Sequence, residues 1–158
     1  AVEPLVYPHR IGFNVIPQVE NFLDNGYSLE ESKIIHETKK IMHSPEIYIS
    51  ATCVRVPVMI GHCESVHVQF RDPITPSCAR ELLQSFPGVR VVDDLDSLQY
   101  PTAVMASGLD DVLVGRIRQD ISVENGLVLW LAIDNLRKGA ATNALQIMEH
   151  LVEKRLIG

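Results

Sequence analysis

The sequence predicts an α+β domain or a domain built on a mixed sheet, because helical and strand-like patterns alternate irregularly along it. The segment 28–43 carries helix-capping and helix-dipole signals, whereas the segment 58–70 alternates apolar and polar residues as a strand does. The chain has 158 residues and no internal repeat, which suits a single domain over 1–158.

Composition excludes several classes of protein. The hydrophobic fraction is 46% and the charged fraction 22%, which are ordinary for a globular domain, and the net charge of −6 with no basic block argues against nucleic acid as a partner. The longest apolar run, 127–133, is far shorter than the roughly 20 residues of a membrane span, so no membrane partner is expected. The N-terminus has no basic region followed by an apolar stretch, so no signal peptide is expected.

Three cysteines without CxxC spacing argue against a disulfide framework and against a zinc site, so we expect no metal and a reducing cytoplasm. The sequence opens on Ala1 rather than Met, which is typical of a processed or partial chain.

The elements of the first third are predicted from local signals. An apolar stretch at 10–17 predicts a short strand that ends at a proline. Ser28 and Glu31 form a capping box that begins a helix, and Ser44 before a proline ends it. Segments 46–56 and 58–70 are predicted strands separated by Pro57. The remaining predicted elements are a helix at 76–85, a strand at 89–92, a loop at 94–101, strands at 111–118 and 126–133, and a helix at 135–155 with an apolar stripe of Leu136, Ala140, Ala144, Ile147, Met148 and Leu151.

Arg55 has the same parity as the apolar residues of its predicted strand, Ile47, Ile49, Ala51 and Cys53. A guanidinium on a core-facing position needs an anionic partner. That partner is either a structural Asp or Glu, or the carboxylate of a substrate bound by a bidentate fork; alternatively the strand ends before residue 55.

His62 shares parity with Val66, Val68 and Phe70, so it is expected on the buried side of its strand, facing the same cleft as Arg55. A histidine there is either a satisfied core residue or a general acid/base.

Glu37 and Lys40 are neighbours at the edge of the inward arc of the first helix, which comprises Ile34, Ile35, Thr38, Ile41 and Met42. They form either a solvated ion pair or a pair that reaches into a cleft. His36 and Glu37 lack the second histidine of a zincin, because position 40 is Lys.

Four further cations lie in the last two thirds of the chain, two in the last predicted helix and two in a predicted strand. Arg137 and Lys138 oppose the dipole of the last helix, and they either hold an anion or are solvated. Arg116 and Arg118 share one face of their strand and are expected to pair with Asp120 or with a partner subunit.

Five segments, in this order and spacing, resemble the C-terminal domain of bacterial aspartate-semialdehyde dehydrogenases over nearly the whole chain. They are Gly12-Phe13-Asn14-Val15-Ile16-Pro17-Gln18, Glu37-Thr38-Lys39-Lys40, Ala51-Thr52-Cys53-Val54-Arg55-Val56-Pro57-Val58 with Gly61-His62, Val114-Gly115-Arg116-Ile117-Arg118, and Asp134-Asn135-Leu136-Arg137-Lys138-Gly139-Ala140-Ala141. The resemblance implies a mixed, mostly antiparallel sheet covered by helices, like the C-terminal domain of glyceraldehyde-3-phosphate dehydrogenase.

The resemblance also implies a reaction: NADPH-dependent reductive dephosphorylation of aspartyl β-phosphate to aspartate semialdehyde, on the route to lysine, threonine and methionine. It implies that His62 is the general acid/base, that Arg55 binds the substrate α-carboxylate, and that Glu37 holds the substrate amino group. It further implies that Lys40 meets phosphate, that Asn135 lies near the nicotinamide of NADP, and that the protein is a homodimer.

The sequence contains no G-x-G-x-x-G, and none of its cysteines lies in the motif of the family's nucleophile. We therefore expect that the NADP-binding Rossmann domain is absent from this chain and that the chain alone is inactive. Two alternatives remain open: a domain similar to N-acetyl-glutamyl-phosphate reductase, and a stand-alone dimerisation module without catalysis. The combination of Glu37 and Lys40 with Arg55 and His62 favours the aspartyl substrate, because a free amino group needs a carboxylate.

Overall fold

The computed structural model describes residues 5–157, and its contacts divide the chain into two compact units, 1–57 and 58–158, which are described separately. The first four residues, whose missing Met suggested a partial chain, lie outside the described residues. Among the described residues, no helix is both long and apolar enough to cross a membrane.

The first unit contains helix α1 (Leu29–Ile41), which begins at the predicted capping box and ends three residues before Ser44, the predicted stop. Ser28 is extended, its hydroxyl accepts a hydrogen bond from the Glu31 N–H, and the Glu31 carboxylate accepts one from the Ser28 N–H at 2.7 Å. Both residues are buried, so the predicted capping box is confirmed as an enclosed contact.

The predictions of strands at 10–17 and 46–56 in this unit are wrong, because neither segment forms a strand. They meet in a single antiparallel bridge between Ile16 and Arg55. Phe13 has a positive φ of 60°, and the Asn14 N–H bonds back to the Ile11 carbonyl, so the first segment turns rather than extends. A strand needs a run of ladder partners, and one bridge does not provide it.

The predicted two-residue alternation is nonetheless present in the second segment. Its half-buried residues are Ile47, Ile49, Ala51, Cys53 and Arg55, and its exposed ones are Tyr48, Ser50, Thr52 and Val54. Sequence parity therefore identified the inward residues, although the ladder hydrogen bonds did not form.

The inward arc predicted for α1 is only partly correct. Ile35 and Thr38 are half-buried, whereas Ile41 and Met42 are 75% and 60% exposed. The residue of α1 that is buried is Glu31, because its capping contact places it inside.

The second unit is built on a four-stranded sheet, which confirms the mixed, mostly antiparallel architecture. Its strands are β1 (His62–Gln69), β2 (Val89–Val91), β3 (Val112–Gln119) and β4 (Gly126–Ile133), in the order β1-β4-β3-β2. The pairs β1–β4 and β3–β4 are antiparallel, and β2–β3 is parallel. The edge strand β1 lies well within the predicted 58–70.

Helices cover both faces of this sheet. Helix α2 (Pro76–Ser85), capped by the Thr75 hydroxyl, packs Ala79 against Val114, Ile117 and Leu127. On the other face, the short helix α3 (Ala103–Ala106), which the sequence did not predict, packs Ala106 against Leu113 and Ala132.

A β-bulge in β3 places these apolar residues. The register of β3 against β4 shifts between Gly115 and Arg118, and Arg116 has a positive φ of 53°. Regular alternation would put Val114 and Ile117 on opposite faces, but the extra residue brings both into one apolar cluster.

The last predicted helix is two elements, a π-helical turn (Arg137–Ala141) followed by α4 (Thr142–Glu153). The apolar stripe of this helix is largely exposed in the single chain: Leu136 is 64%, Ile147 54% and Met148 49% exposed, and Leu151 alone of the six stripe residues is half-buried. The periodicity found the helix but not what covers its apolar face.

Candidate functional site

Arg55 is half-buried at the bridge to Ile16, where its backbone N–H and C=O bond to the Ile16 carbonyl at 2.8 Å and N–H at 3.0 Å. Its guanidinium lies over the ring of Tyr7, 5.1 Å from the ring centre to Cζ. Within residues 5–157, no carboxylate forms an ion pair with Arg55. The sequence left open a buried salt bridge from Arg55 to a structural Asp or Glu. Within these residues no such salt bridge is present.

The segment that carries Arg55 is held by Glu31. One carboxylate oxygen of Glu31 accepts the Cys53 N–H at 2.8 Å, and the other accepts the Ser28 N–H. These hydrogen bonds, that from Ser28 first and that from Cys53 second, lower the pKa of Glu31. The carboxylate therefore ties the start of α1 to the backbone two residues before Arg55.

Glu37 and Lys40 lie on the outer turns of α1, and both are exposed. They line one shallow depression together with Ile41 and His43. In the described part of the chain they form no ion pair with each other, so the solvated pair that the sequence allowed is not present. Both charged groups are free to meet a ligand.

His62 is the first residue of β1, opposite Ile133 of β4. Its predicted parity is confirmed for Val66 and Val68, which are half-buried, but the burial expected for His62 and Phe70 is wrong, since both are exposed. His62 is exposed because it lies at the end of an edge strand, where, among the described residues, β4 is the only neighbouring strand. The interpretation of His62 as a satisfied core histidine is therefore also wrong.

The backbone just before His62 is tightly enclosed. Gly61 is buried with a φ of +92°, and a Cβ there would lie 3.0 Å from the Ile133 carbonyl oxygen and 3.2 Å from that of Ala103. Its N–H donates to Oδ1 of Asn135 at 3.2 Å. The structure thus brings Asn135 to the Ile60–Gly61 peptide, directly before His62, across 74 residues of sequence.

Asp134, next to Asn135, is a buried carboxylate that the sequence did not single out. Its Oδ2 accepts the Gly108 N–H at 2.8 Å and its Oδ1 accepts the Leu136 N–H at 3.0 Å. These backbone bonds, that from Gly108 first, lower the pKa of Asp134. An aspartate between an apolar strand and a helix is the sequence signal that would have found it.

The cations of the last helix are paired. Arg137 makes a bidentate ion pair with Asp110, at 2.9 and 2.8 Å, and Lys138 donates to Oε1 of Gln146 at 2.5 Å. Arg137 therefore forms a solvated surface ion pair, with its side chain 46% exposed, which agrees with the second interpretation, whereas Lys138 makes an internal contact.

The expected pairing of Arg116 or Arg118 with Asp120 is also wrong. Asp120 accepts from His67 at 3.0 Å, and an Arg118 nitrogen donates to the Arg116 carbonyl. The bulge turns Arg116 away from regular alternation, so the assumption that both arginines share a face does not hold there.

Tyr7 is a further residue that the sequence analysis did not identify, because nothing in the local pattern links it to Arg55. Among the described residues, no group of three His, Cys, Asp or Glu side chains is placed to hold a metal ion.

The profile of the family "Semialdehyde dehydrogenase, dimerisation domain" matches residues 1–138. The aspartate-semialdehyde dehydrogenase of Legionella pneumophila is 54% identical over 153 residues, covering 96% of this chain and 44% of that protein.

Two solved structures are similar in fold. Aspartate semialdehyde dehydrogenase II from Vibrio cholerae, complexed with ASA, has a TM-score of 0.90 at 47% identity and covers 96% of this chain and 44% of its own. Aspartate semialdehyde dehydrogenase from Candida albicans, with NADP, has a TM-score of 0.72 at 27% identity over 93% of this chain and 46% of its own.

The chain thus spans a little under half the length of the relatives it matches. Because the family profile covers most of its residues, the chain belongs to the semialdehyde dehydrogenase dimerisation-domain family.

Proposed function

We propose that this chain is the substrate-binding and dimerisation part of an aspartate-semialdehyde dehydrogenase, as one domain over 1–158 of a longer cytoplasmic enzyme. The enzyme converts aspartyl β-phosphate to aspartate semialdehyde. The observation that carries the proposal is Arg55, a half-buried guanidinium that no carboxylate of residues 5–157 neutralises. The Vibrio cholerae relative with ASA supports the substrate class.

The residue types suit this substrate. The planar fork of Arg55 fits a carboxylate bidentately, and it is pre-oriented by Tyr7 and by the bridge to Ile16. Glu37 offers the negative charge that a free ammonium group needs, and Lys40 offers the positive charge that phosphate needs. In the alternative reductase the substrate amino group is acetylated and neutral, so Glu37 would have no charged group to bind.

We propose that His62 is the general acid/base of the reaction. It is exposed at a strand end, so its ring can exchange protons with a bound ligand. The loss of phosphate and the release of an aldehyde each need a proton to be moved, and an imidazole suits both near neutral pH.

NADPH would supply the hydride when bound, and the structure with NADP from Candida albicans supports that cofactor. The part of this chain that fits it is the Asn135 amide. Within residues 5–157 its Nδ2 donates no hydrogen bond, so it is available to a carboxamide. The remaining contacts to NADP and the nucleophile would come from elsewhere in the longer enzyme, and the chain alone would be inactive.

A homodimer is part of the proposal. The family is named for dimerisation, and α4 exposes Leu145, Ile147, Met148 and Val152 in the single chain. Cytoplasmic location is supported by the free thiols of Cys63 and Cys78. Light scattering of the longer enzyme at micromolar concentration is expected to give a dimer, and a monomer would contradict this.

The test uses the longer enzyme that carries this chain. R55L is expected to lower kcat/KM for aspartate semialdehyde by about two orders of magnitude, because a bidentate charged contact is lost. H62A is expected to lower kcat by about 10²- to 10⁴-fold. The matched controls R71L and H150A change exposed residues of the same type and should leave both constants unchanged.

Full activity in both R55L and H62A would remove the proposal. If the longer enzyme prefers N-acetyl-glutamate semialdehyde, the related reductase is the correct assignment instead. If the isolated 158-residue chain turns over NADPH, the expectation that it is inactive alone is wrong.

A further inference from the structure

We propose that Asn135 is a positioning residue for His62, acting through the hydrogen bond that its Oδ1 accepts from the Gly61 N–H at 3.2 Å. This inference rests on the acid/base role proposed for His62. It assigns to the oxygen of Asn135 a task distinct from any contact of its nitrogen with a cofactor.

Gly61 is the element through which the effect travels. Its left-handed φ of +92° excludes ordinary side chains, and the carbonyl oxygens of Ile133 and Ala103 would lie within 3.0 and 3.2 Å of an added Cβ. The residue is therefore pressed against the end of β4 and the start of α3. Its buried N–H needs an acceptor, and Asn135 provides it.

Asn135 is itself held rigidly. The buried carboxylate of Asp134 accepts the N–H groups of Leu136 on one oxygen and of Gly108 on the other, and its backbone carbonyl accepts those of Arg137 and Lys138. The corner between β4 and the π-helical turn is thus fixed on both sides. A rigid acceptor at this corner fixes the Ile60–Gly61 peptide. Because the close neighbours of Gly61 also restrict its own conformation, the chain enters His62 in a defined direction.

The consequence is specific because the side chain of His62 has few restraints of its own, although its backbone is paired with Ile133 of β4. Its side chain is exposed, and within residues 5–157 its ring makes no hydrogen bond. Its orientation is therefore set mainly by its own backbone. A general acid/base works only within a narrow range of distance and angle, so a small shift of that backbone lowers the rate of proton transfer.

Two substitutions of Asn135 in the longer enzyme separate the roles of its two amide atoms. N135A removes the acceptor and the donor, whereas N135D keeps an acceptor for Gly61 and removes the donor. We expect N135A to lower kcat by about tenfold or more. The variant H62Q, which removes the imidazole, serves as the reference. N135A should change the dependence of kcat on pH on the same side of the profile as H62Q does. We expect N135D to recover most of kcat, while KM for NADP rises if the nitrogen meets the cofactor.

A readout that does not depend on catalysis accompanies the kinetics. Hydrogen–deuterium exchange of a peptide spanning 58–66 should be faster in N135A than in the wild type and near the wild-type rate in N135D. The control N143A changes an exposed asparagine of α4 and should alter neither kcat nor exchange.

The outcomes are distinct. If N135A and N135D both raise KM for NADP but leave kcat and exchange unchanged, Asn135 is a cofactor contact only and the inference is overturned. If N135A does not fold, N135D decides alone: near-normal kcat with protected exchange supports the inference, and a loss of kcat as deep as in H62Q contradicts it. A fully active H62Q would refute the role of His62 itself, and the exchange data would then show only the Asn135–Gly61 bond.

Discussion

The two units of the chain are organised by different forces. In the described part of the first unit, residues 5–57, Ile16 is the one buried apolar residue, and the buried polar residues are Ser28 and Glu31. Within residues 58–157, the second unit buries nine apolar residues in and around its sheet, namely Ala79, Ala103, Ala106, Leu113, Val114, Ile117, Leu127, Val128 and Ala132.

Because of this difference, the two units should be destabilised by different kinds of substitution. A unit with an apolar core resists the loss of one hydrogen bond but not a change of volume, because cores are packed like solids. A unit held by polar contacts has little volume to disturb, and its order depends on a few caps. Substitutions that separate packing from hydrogen bonding therefore test the comparison directly.

The largest effect is expected at Gly115, in the core of the second unit. A Cβ there would lie 2.1 Å from the Val92 carbonyl oxygen and 2.5 Å from Cδ of Pro101. Since the nearest atom belongs to backbone, neighbours cannot rotate away, and G115A should lower the free energy of unfolding by about 3 kcal/mol or more. Urea unfolding measures this.

Gly12 provides the control in the first unit. A Cβ there meets only the Arg10 side chain at an ordinary 3.7 Å, so G12A should change stability by less than about 0.5 kcal/mol. Equal effects of G12A and G115A would mean that the two units do not differ in packing.

The second effect concerns a polar contact inside the apolar unit. The Asp93 side chain is 1% exposed and accepts hydrogen bonds from Arg80 Nε at 2.7 Å, from the Arg116 N–H at 2.6 Å and from the Ile117 N–H at 3.2 Å. D93A should lower the free energy of unfolding by about 2–3 kcal/mol, because it leaves the bulge donors unpaired.

Asp72, an exposed aspartate, is the matched control for this change. D72A should be nearly neutral in the same urea experiment. A D93A protein as stable as D72A would show that the bulge is held by packing alone.

The sequence predicted the second unit far better than the first, and the reason is physical. Periodicity reports which residues face inward, and in a sheet with a filled core that is enough to define the strands, as in β3 and β4. In the first unit the same periodicity identified the inward residues of 47–55, yet no ladder formed, because ladder partners are a matter of tertiary pairing.

The candidate site shows the same limit. Strand parity pointed to Arg55 and His62, and the family resemblance pointed to Asn135. The hydrogen bond from Gly61 to Asn135 joins residues 74 apart, and no local signal encodes that contact. The sequence pattern does not reveal the bulge at Arg116, because one extra residue reverses the parity of the residues that follow it.

The third prediction compares one helix cap in each unit. Ser28 is fully buried in a reciprocal capping box, whereas Thr75 caps α2 from an exposed position. S28A should cost about 1–2 kcal/mol and T75A about 0.5–1 kcal/mol. Hydrogen–deuterium exchange of the α1 and α2 peptides assigns each loss to its helix, and a larger effect of T75A would reverse the proposed dependence of the first unit on its cap.

The smallest expected effect is a pH dependence in the second unit, at Asp120. Hydrogen bonds from the Ser122 hydroxyl at 2.6 Å and N–H at 2.9 Å, followed by that from His67, lower the pKa of Asp120 from 3.8 to about 2. Because the folded pKa lies below the unfolded one, the carboxylate stabilises the fold above pH 3.8, and this contribution is lost as the pH falls towards 2. D120N, which cannot titrate, should therefore be less stable at neutral pH and should show a shallower decline of stability between pH 4 and pH 2 by up to about one bound proton. Urea unfolding across this range, with D72N as the exposed control, measures the slope. An unchanged slope in D120N would mean that acid unfolding begins elsewhere, and the carboxylate of Glu31 in the first unit, whose pKa is also lowered by backbone hydrogen bonds, would be the next group to replace.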